Sequence, residues 1–411
     1  MDYKNIINTL VLNGPLFFFC FAALLGIRFA SEEEGGAGIS YKLYMSILLL
    51  LGSLLFLRDF WNRRVYNIRE VLPLAILIIY MIDGYVQGYA TNLVYLKMVC
   101  FSFPATCIAL NMKEYDALAH MMKWLDLFLP LFALSFVRMV INIYLSRLEG
   151  EGTYDQNASY MIAFCFLVAL FSLRYNDYYP KFSFLDKKWF RIFKYCLFPY
   201  LIVMAFFAGG RGAFVTILVG LLFNIDLLKK LSRQTIKKIL LGIFFGIILI
   251  IVLLAWFDKD GEIAEFFLLS AQRITALVDF QNMDTSNATS GRDELYADAL
   301  RYFSESPVYG FGLWAYLLKI EMFPHNIILE IMLQGGLIYL TLFVFILIMA
   351  YGKYSKMLQF DKSQIFLMPF AIFAFTLLLF SSSFIFEPLF WFVLAYIYNF
   401  SFPEEQSADN G

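Results

Sequence analysis

Long apolar runs recur down this chain, each near the length that crosses a hydrocarbon core and each ended by a polar or charged connection. A spanning helix needs about 20 mostly apolar residues. Runs of that kind lie near 6–27, 42–57, 71–89, 92–111, 122–144, 158–174, 193–209, 212–228, 238–256, 326–350, 364–382 and 384–400. Hydrophobic residues fill 61% of the 411 positions and charged residues 16%, against about 45–50% and 25% in a soluble domain. A soluble fold of this length has no core large enough to hide that surface, whereas a bilayer covers it. The sequence therefore predicts an all-α, polytopic membrane bundle of about twelve helices.

The basic residues give the orientation. Arg58, Arg63, Arg64 and Arg69 fall in the second connection, and Lys181, Lys187, Lys188 and Arg191 in the sixth, with Arg174 and Lys194 at its edges. Lys229, Lys230, Arg233, Lys237 and Lys238 fall in the eighth, and Lys353, Lys356 and Lys362 in the tenth. All four connections are even-numbered, so one topology puts them and both termini in the cytoplasm. MDYKNIINTL has no basic leader and no small-residue cleavage site, so the first run reads as a retained span. The expected divisions are helices one to nine in 1–256, an outer loop in 257–325, helices ten to twelve in 326–400 and a cytoplasmic tail in 401–411.

That outer loop is far longer than the other connections, and long loops in compact proteins tend to be functional or disordered. Two stretches in it, AEFFLLSAQRITALVDF and SGRDELYADALRYF, are amphipathic at helical spacing. The second begins with Ser290 and Asp293 in a capping-box pattern and gathers Leu295, Tyr296, Ala299, Leu300 and Phe303 on its apolar side. Such helices suit the membrane surface or a cap on the bundle.

The net charge of −1 creates no field that would draw nucleic acid. The five cysteines (Cys20, Cys100, Cys107, Cys165 and Cys196) are scattered in or beside apolar runs and read as free thiols. No histidine cluster or glycine-rich nucleotide loop occurs, so neither a metal nor another cofactor is expected. Group transfer by this chain would need a leaving group that departs without a divalent ion.

The residues able to carry chemistry are few. His120, in YDALAHMMKW, reads as a headgroup-level polar residue. His325 follows Pro324 and opens a span. A helix start presents N–H groups and positive potential, which favours a neutral ring able to take a proton and suits an anion. Taken by itself, His325 is equally a simple helix cap. Arg211 sits in GGRGAF, where it is either a snorkelling arginine or a bidentate phosphate clamp. Arg292, in SGRDELY, is either half of a surface pair with Asp293 or Glu294 or a second anion ligand. Asp83, Lys97, Asp126, Arg138, Glu330 and Glu387 fall inside spans, where charge needs a partner or a cavity. Glu330 lies on the face of Asn326, placed to orient a substrate hydroxyl or to pair with Arg138.

The order of these residues resembles a known group. GRDELYADALRYFSESPVYGFGLWAYLLKIEMFPHNIILEIMLQGGLIYL is similar to the signature region of the O-antigen ligase and polymerase superfamily. The pattern is an arginine, an amphipathic helix, Pro-x-x-Gly-x-Gly, His-Asn opening a span, and a glycine pair. Here these are Arg292, Pro307, Gly310, Gly312, His325, Asn326, Gly335 and Gly336. GGRGAFVTILVG resembles the small-small-Arg-Gly stretch, carried by Arg211, and DQNASY the Asn-Ala stretch, carried by Asn157.

The resemblance implies a metal-independent, inverting glycosyltransferase at the outer leaflet of a bacterial inner membrane. Its donor would be a glycan on undecaprenyl pyrophosphate, held among membrane lipids. His325 would be the catalytic base and Arg211 and Arg292 the pyrophosphate ligands. Asn326, Glu330, Asn157 and Arg138 would be acceptor-side or supporting residues, and a chain-length regulator protein a further partner. PHNIILE is closer to repeat-unit polymerases than to ligases that move finished O-antigen to lipid A–core. A twelve-helix secondary transporter or flippase is the alternative from another class, and it would show pseudo-symmetric halves and interrupted helices.

Overall fold

A computed structural model of the chain describes residues 3–24, 68–88, 98–112, 116–148, 156–179, 187–225, 292–320 and 323–402, together with Ile47 and Leu54. All regular structure among the described residues is helical. Among the described residues five helices are long and apolar enough to cross a membrane: Ala117–Tyr144, Gln156–Arg174, Lys188–Ala208, Ile327–Phe360 and Lys362–Phe380. Shorter apolar helices lie at Val71–Gln87, Met98–Asn111, Arg211–Phe223 and Pro388–Asn399. The expected spans at 42–57 and 238–256, the first amphipathic stretch of the loop, Ser290 and Lys97 lie outside the described residues.

The chain forms two compact units. The first comprises Met1–Gly14, Glu34–Met121 and Glu294–Gly411, and the second Pro15–Glu33 and Met122–Asp293. In chain order the helices are α1 (Tyr3–Leu12), α2 (Gly14–Leu24), α3 (Ile68–Gln87), α4 (Phe103–Asn111), α5 (Ala117–Leu148), α6 (Gln156–Arg174), α7 (Lys188–Ala208) and α8 (Arg211–Phe223). They continue as α9 (Asp293–Glu305), α10 (Ala315–Lys319), α11 (Ile327–Phe360), α12 (Met368–Phe380) and α13 (Pro388–Asn399).

The first expected span is two helices, which corrects the single run at 6–27. Pro15 has no N–H to continue the ladder, and at the end of α1 both the backbone N–H and the side-chain amide of Asn13 donate to Thr9 O, at 3.1 and 3.0 Å. The second amphipathic stretch of the loop is helical as expected, in α9. Ala299 is buried there, whereas Leu300, expected on the apolar side, is 51% exposed.

In the first unit α13 is the central helix, packed against α3, α4, α11 and α12. Its Asn399 Nδ2 donates to Ala109 O and Leu110 O at 3.1 and 2.9 Å, taking carbonyls that the end of α4 leaves over. In the second unit α6 is the buried helix and packs against both α7 and α8. Gly220 makes the second contact possible, since a Cβ there would lie 2.3 Å from Leu167 Cδ2.

The second unit also explains two charges that the sequence left unpaired. Lys194, read as the edge of a cytoplasmic connection, is buried on α7. Its Nζ lies 2.8 Å from Asp126 Oδ2 on α5 and donates to Ser172 Oγ on α6 at 3.1 Å. Ser172 Oγ donates in turn to Asp126 Oδ1 at 3.1 Å. One ion pair thus ties three helices together.

α11 runs ten residues beyond its expected end and is broken inside. Gly335 (φ −134, ψ 17) and Gly336 (φ 59, ψ −150) leave the helical region. A helix break strands backbone groups, and within a bilayer these need protein partners. Here the Pro-x-x-Gly-x-Gly loop supplies them. Phe311 N and Gly312 N donate to Leu333 O and Gln334 O at 2.9 and 2.8 Å, and Leu337 N and Ile338 N donate to Pro307 O and Val308 O at 2.8 and 3.3 Å. The approach needs glycine on both sides: a Cβ on Gly310 would lie 2.6 Å from Gln334 backbone atoms, and one on Gly336 2.4 Å from those of Val308. Gly336→Ala combines this clash with a left-handed φ. It is expected to cost about 2–4 kcal/mol, read as a fall in Tm of the detergent-purified protein. Gly352→Ala, with nothing within 4 Å of the added Cβ, is the neutral control. Equal melting of the two variants would reject the account.

Candidate functional site

The two arginines meet one helix start in the second unit. α7 ends at Gly209 (φ 78), whose N–H donates to Ala205 O and Phe206 O, a glycine C-cap of the usual kind. Gly210 then serves as N-cap of α8 and donates its N–H to Ser159 Oγ at 2.8 Å. A Cβ on Gly210 would lie 2.5 Å from Ser159 Cβ, and one on Gly212 1.8 Å from the Tyr160 hydroxyl. The glycines around Arg211 thus seat the start of α8 against α6. Arg211 is the first residue of α8 and is half-buried. Its N-cap is a glycine, so the N-cap itself brings no side chain to this helix start, where the backbone presents positive potential.

Arg292, also half-buried, lies just before α9, and its Nη2 donates to Gln156 Oε1 at 3.3 Å. Gln156 opens α6, and its carbonyl oxygen lies 3.7 Å from where a Gly210 Cβ would sit. Arg211 and Arg292 are therefore both brought to the first turn of α6. Asn157, the residue singled out in the sequence, is exposed. The bonds and close contacts described for this turn belong to Gln156, Ser159 and Tyr160. Their i, i+3, i+4 spacing puts all three on one helix face, a signal present in QNASY that the Asn-Ala reading passed over. Arg138 is exposed on α5, beside exposed Leu134, Val137 and Ile141.

His325, Asn326 and Glu330 belong to the first unit. His325 does not open the helix, as the sequence led us to expect. α11 starts at Ile327, Asn326 is its N-cap, and His325 precedes the cap with φ 51. Asn326 Oδ1 accepts from Ile328 N at 3.0 Å and from Leu329 N at 3.3 Å. Glu330 puts a carboxyl in the same first turn. This helix start is thus already supplied with acceptors. A left-handed non-glycine residue is strained and is held by its surroundings. Here Pro324 is buried on one side, and the cap fixes the other.

Glu330 is fully buried, and its Oε1 accepts from Ser383 Oγ at 2.5 Å. The described partner is thus Ser383, a residue that sequence reasoning did not single out. The Tyr316 phenol lies beside both, and burial holds it well above its ordinary range, so it stays protonated. One turn further along α11, Gln334 accepts from the Tyr80 hydroxyl, and Tyr80 O accepts from Trp314 Nε1 at 3.0 Å. Glu387 caps α13 through Leu389 N at 3.3 Å.

Residues 196–344 match a family model described as O-Antigen ligase. Over this segment, about a third of the chain, the protein is similar to the O-antigen ligase/polymerase superfamily. The superfamily segment takes in Arg211, Arg292, the Pro307–Gly312 loop, His325, Asn326, Glu330 and the glycine pair. Asn157, Gln156 and Ser383 lie outside it. No curated protein and no solved structure matches the chain. The match over this segment and the five described helices long and apolar enough to cross a membrane both suit a membrane protein.

Proposed function

We propose that the chain is a polymerase that joins polyprenyl-pyrophosphate-linked oligosaccharide repeats into a surface polysaccharide, by inverting transfer without a metal. The observation that carries this is the placing of Arg211 and Arg292 near the first turn of α6, with Arg211 opening α8 there. Two guanidinium forks and a helix N-terminus suit a pyrophosphate. His325 takes the proton from the acceptor hydroxyl as its oxygen bonds to the anomeric carbon. The bond from that carbon to the phosphate oxygen breaks, and the electron pair leaves with the pyrophosphate, whose growing charge the arginines offset. The same reading takes the chain as twelve spans, with both termini cytoplasmic and the 257–325 loop outside the inner membrane.

Ligation of finished polymer to lipid A–core is the second reading, supported by the description of the matching family. Deletion in cells with an intact repeat-unit pathway separates the two. Core capped with a single repeat is expected for a polymerase. Bare core with polymer retained on its carrier would replace that reading with ligase. Transport is disfavoured, because the stranded groups at the α11 break are bonded to the Pro307–Gly312 loop instead of being open to an ion.

The clamp has its own test. Arg211→Gln and Arg292→Gln are each expected to lower turnover about 10²–10³-fold, the scale of losing one oxyanion donor, with Lys restoring only part. Full turnover of Arg292→Gln on a purified lipid-linked repeat would remove it from the site.

A further inference from the structure

The left-handed turn at His325 is braced by a segment 53 residues further along the chain. Asn326 Nδ2 donates to Leu379 O at 3.2 Å, and Ser383 Oγ donates to Glu330 Oε1 at 2.5 Å, both at a separation of 53. The two segments therefore run in step, with one bond per turn of α11. The far segment is fixed in its own right. Ile385 O accepts from Ser102 Oγ at 2.6 Å, Phe384 O accepts from Trp391 Nε1 at 2.7 Å, and Ser382 is itself left-handed with φ 54.

Starting a helix needs only the Asn326 cap. A fully buried carboxyl on a buried serine is a costly addition, so it needs another purpose. The bond from Asn326 to Leu379 O ties the helix start to the far segment at one point, and the Ser383–Glu330 bond one turn along adds a second, fixing the angle between the two. We propose that Ser383 and Glu330 are positioning residues, which set the direction of His325 toward the acceptor hydroxyl. The proposal rests on His325 acting as the base.

The chain has two histidines, His120 and His325, so protein labelled at the imidazole nitrogens gives two sets of ring-nitrogen NMR signals, one per histidine, assigned with His120→Gln. Ser383→Ala is expected to shift and broaden the His325 signal and to leave His120 unmoved, whereas Ser383→Thr leaves both in place. On a polyprenyl-pyrophosphate-linked repeat unit, Ser383→Ala should lower kcat about ten- to hundredfold at similar KM. In a His325→Ala background it should lower kcat no further. A His325 signal unmoved by Ser383→Ala overturns the brace whatever the activity. Full activity of His325→Ala removes the base instead, and the NMR result still decides the brace. Where Ser383→Ala does not fold, Ser383→Cys, a weak donor of similar shape, carries the same expectations and the same overturning result.

Discussion

Replacing His325 by Ala is expected to lower glycan transfer about 10²–10⁴-fold, the range for losing a general base, with folding intact. His325 lies before the α11 cap and outside its hydrogen-bonded turns. The cap, the Glu330 bond and the helix break all survive its truncation. Alanine at φ 51 keeps some of the strain, so His325→Gly is the cleaner partner variant, with relaxed backbone and no imidazole. Both should show one repeat per core on gels, at wild-type protein levels. Normal laddering from a well-expressed His325→Gly would sink the catalytic role. An intermediate loss in Ala that Gly repairs would mean that the backbone, and not the ring, matters here.

The second large effect concerns stability. Asp126→Ala is expected to cost about 3–5 kcal/mol, because it leaves the Lys194 ammonium buried and unpaired. Lys194 and Asp126 are 2% and 0% exposed, so neither charge finds water where it stands. Lys194→Met should cost a similar amount by stranding the carboxylate. The double variant Asp126→Leu, Lys194→Met should recover most of the loss, since a buried pair is often replaceable by apolar side chains. Thermal unfolding in detergent reads all three. A double variant as unstable as the sum of the singles would show that the pair does more than hold α5, α6 and α7 together.

Much of the frame was legible because spans announce themselves through length and apolar content. α5, α6, α7 and α12 fall close to where the sequence put them. The misreadings have local causes. At Asn13 a side-chain amide and a proline split one apolar run into two helices, and hydropathy is blind to both. At Gly335–Gly336 the sequence showed a glycine pair, but the partner of that break lies in the Pro307–Gly312 loop, and sequence does not pair distant backbone groups. Lys194 looked like a loop charge because its partner Asp126 is 68 residues away. In the site, Arg211 and Arg292 could be named from their glycine and helix-start surroundings. Gln156 shares a helix face with Ser159 and Tyr160 that QNASY shows by its spacing, whereas Ser383 could not be named, since it acts through one bond to a residue far along the chain.

The break in α11 also bears on the order in which the protein is made. Ile327–Gln334 is about 12 Å of helix and Leu337–Phe360 about 36 Å. Only the second piece is long enough to be threaded into a bilayer by itself. As the chain leaves the ribosome, that piece can be inserted while the turn at His325 still lacks its brace. The brace arrives only with Leu379 and Ser383, after that piece has been made. A nascent chain stopped short of them would sit in the membrane with its arginines already made and its histidine turn unset. Setting of the turn at His325 therefore waits for the segment that follows α11.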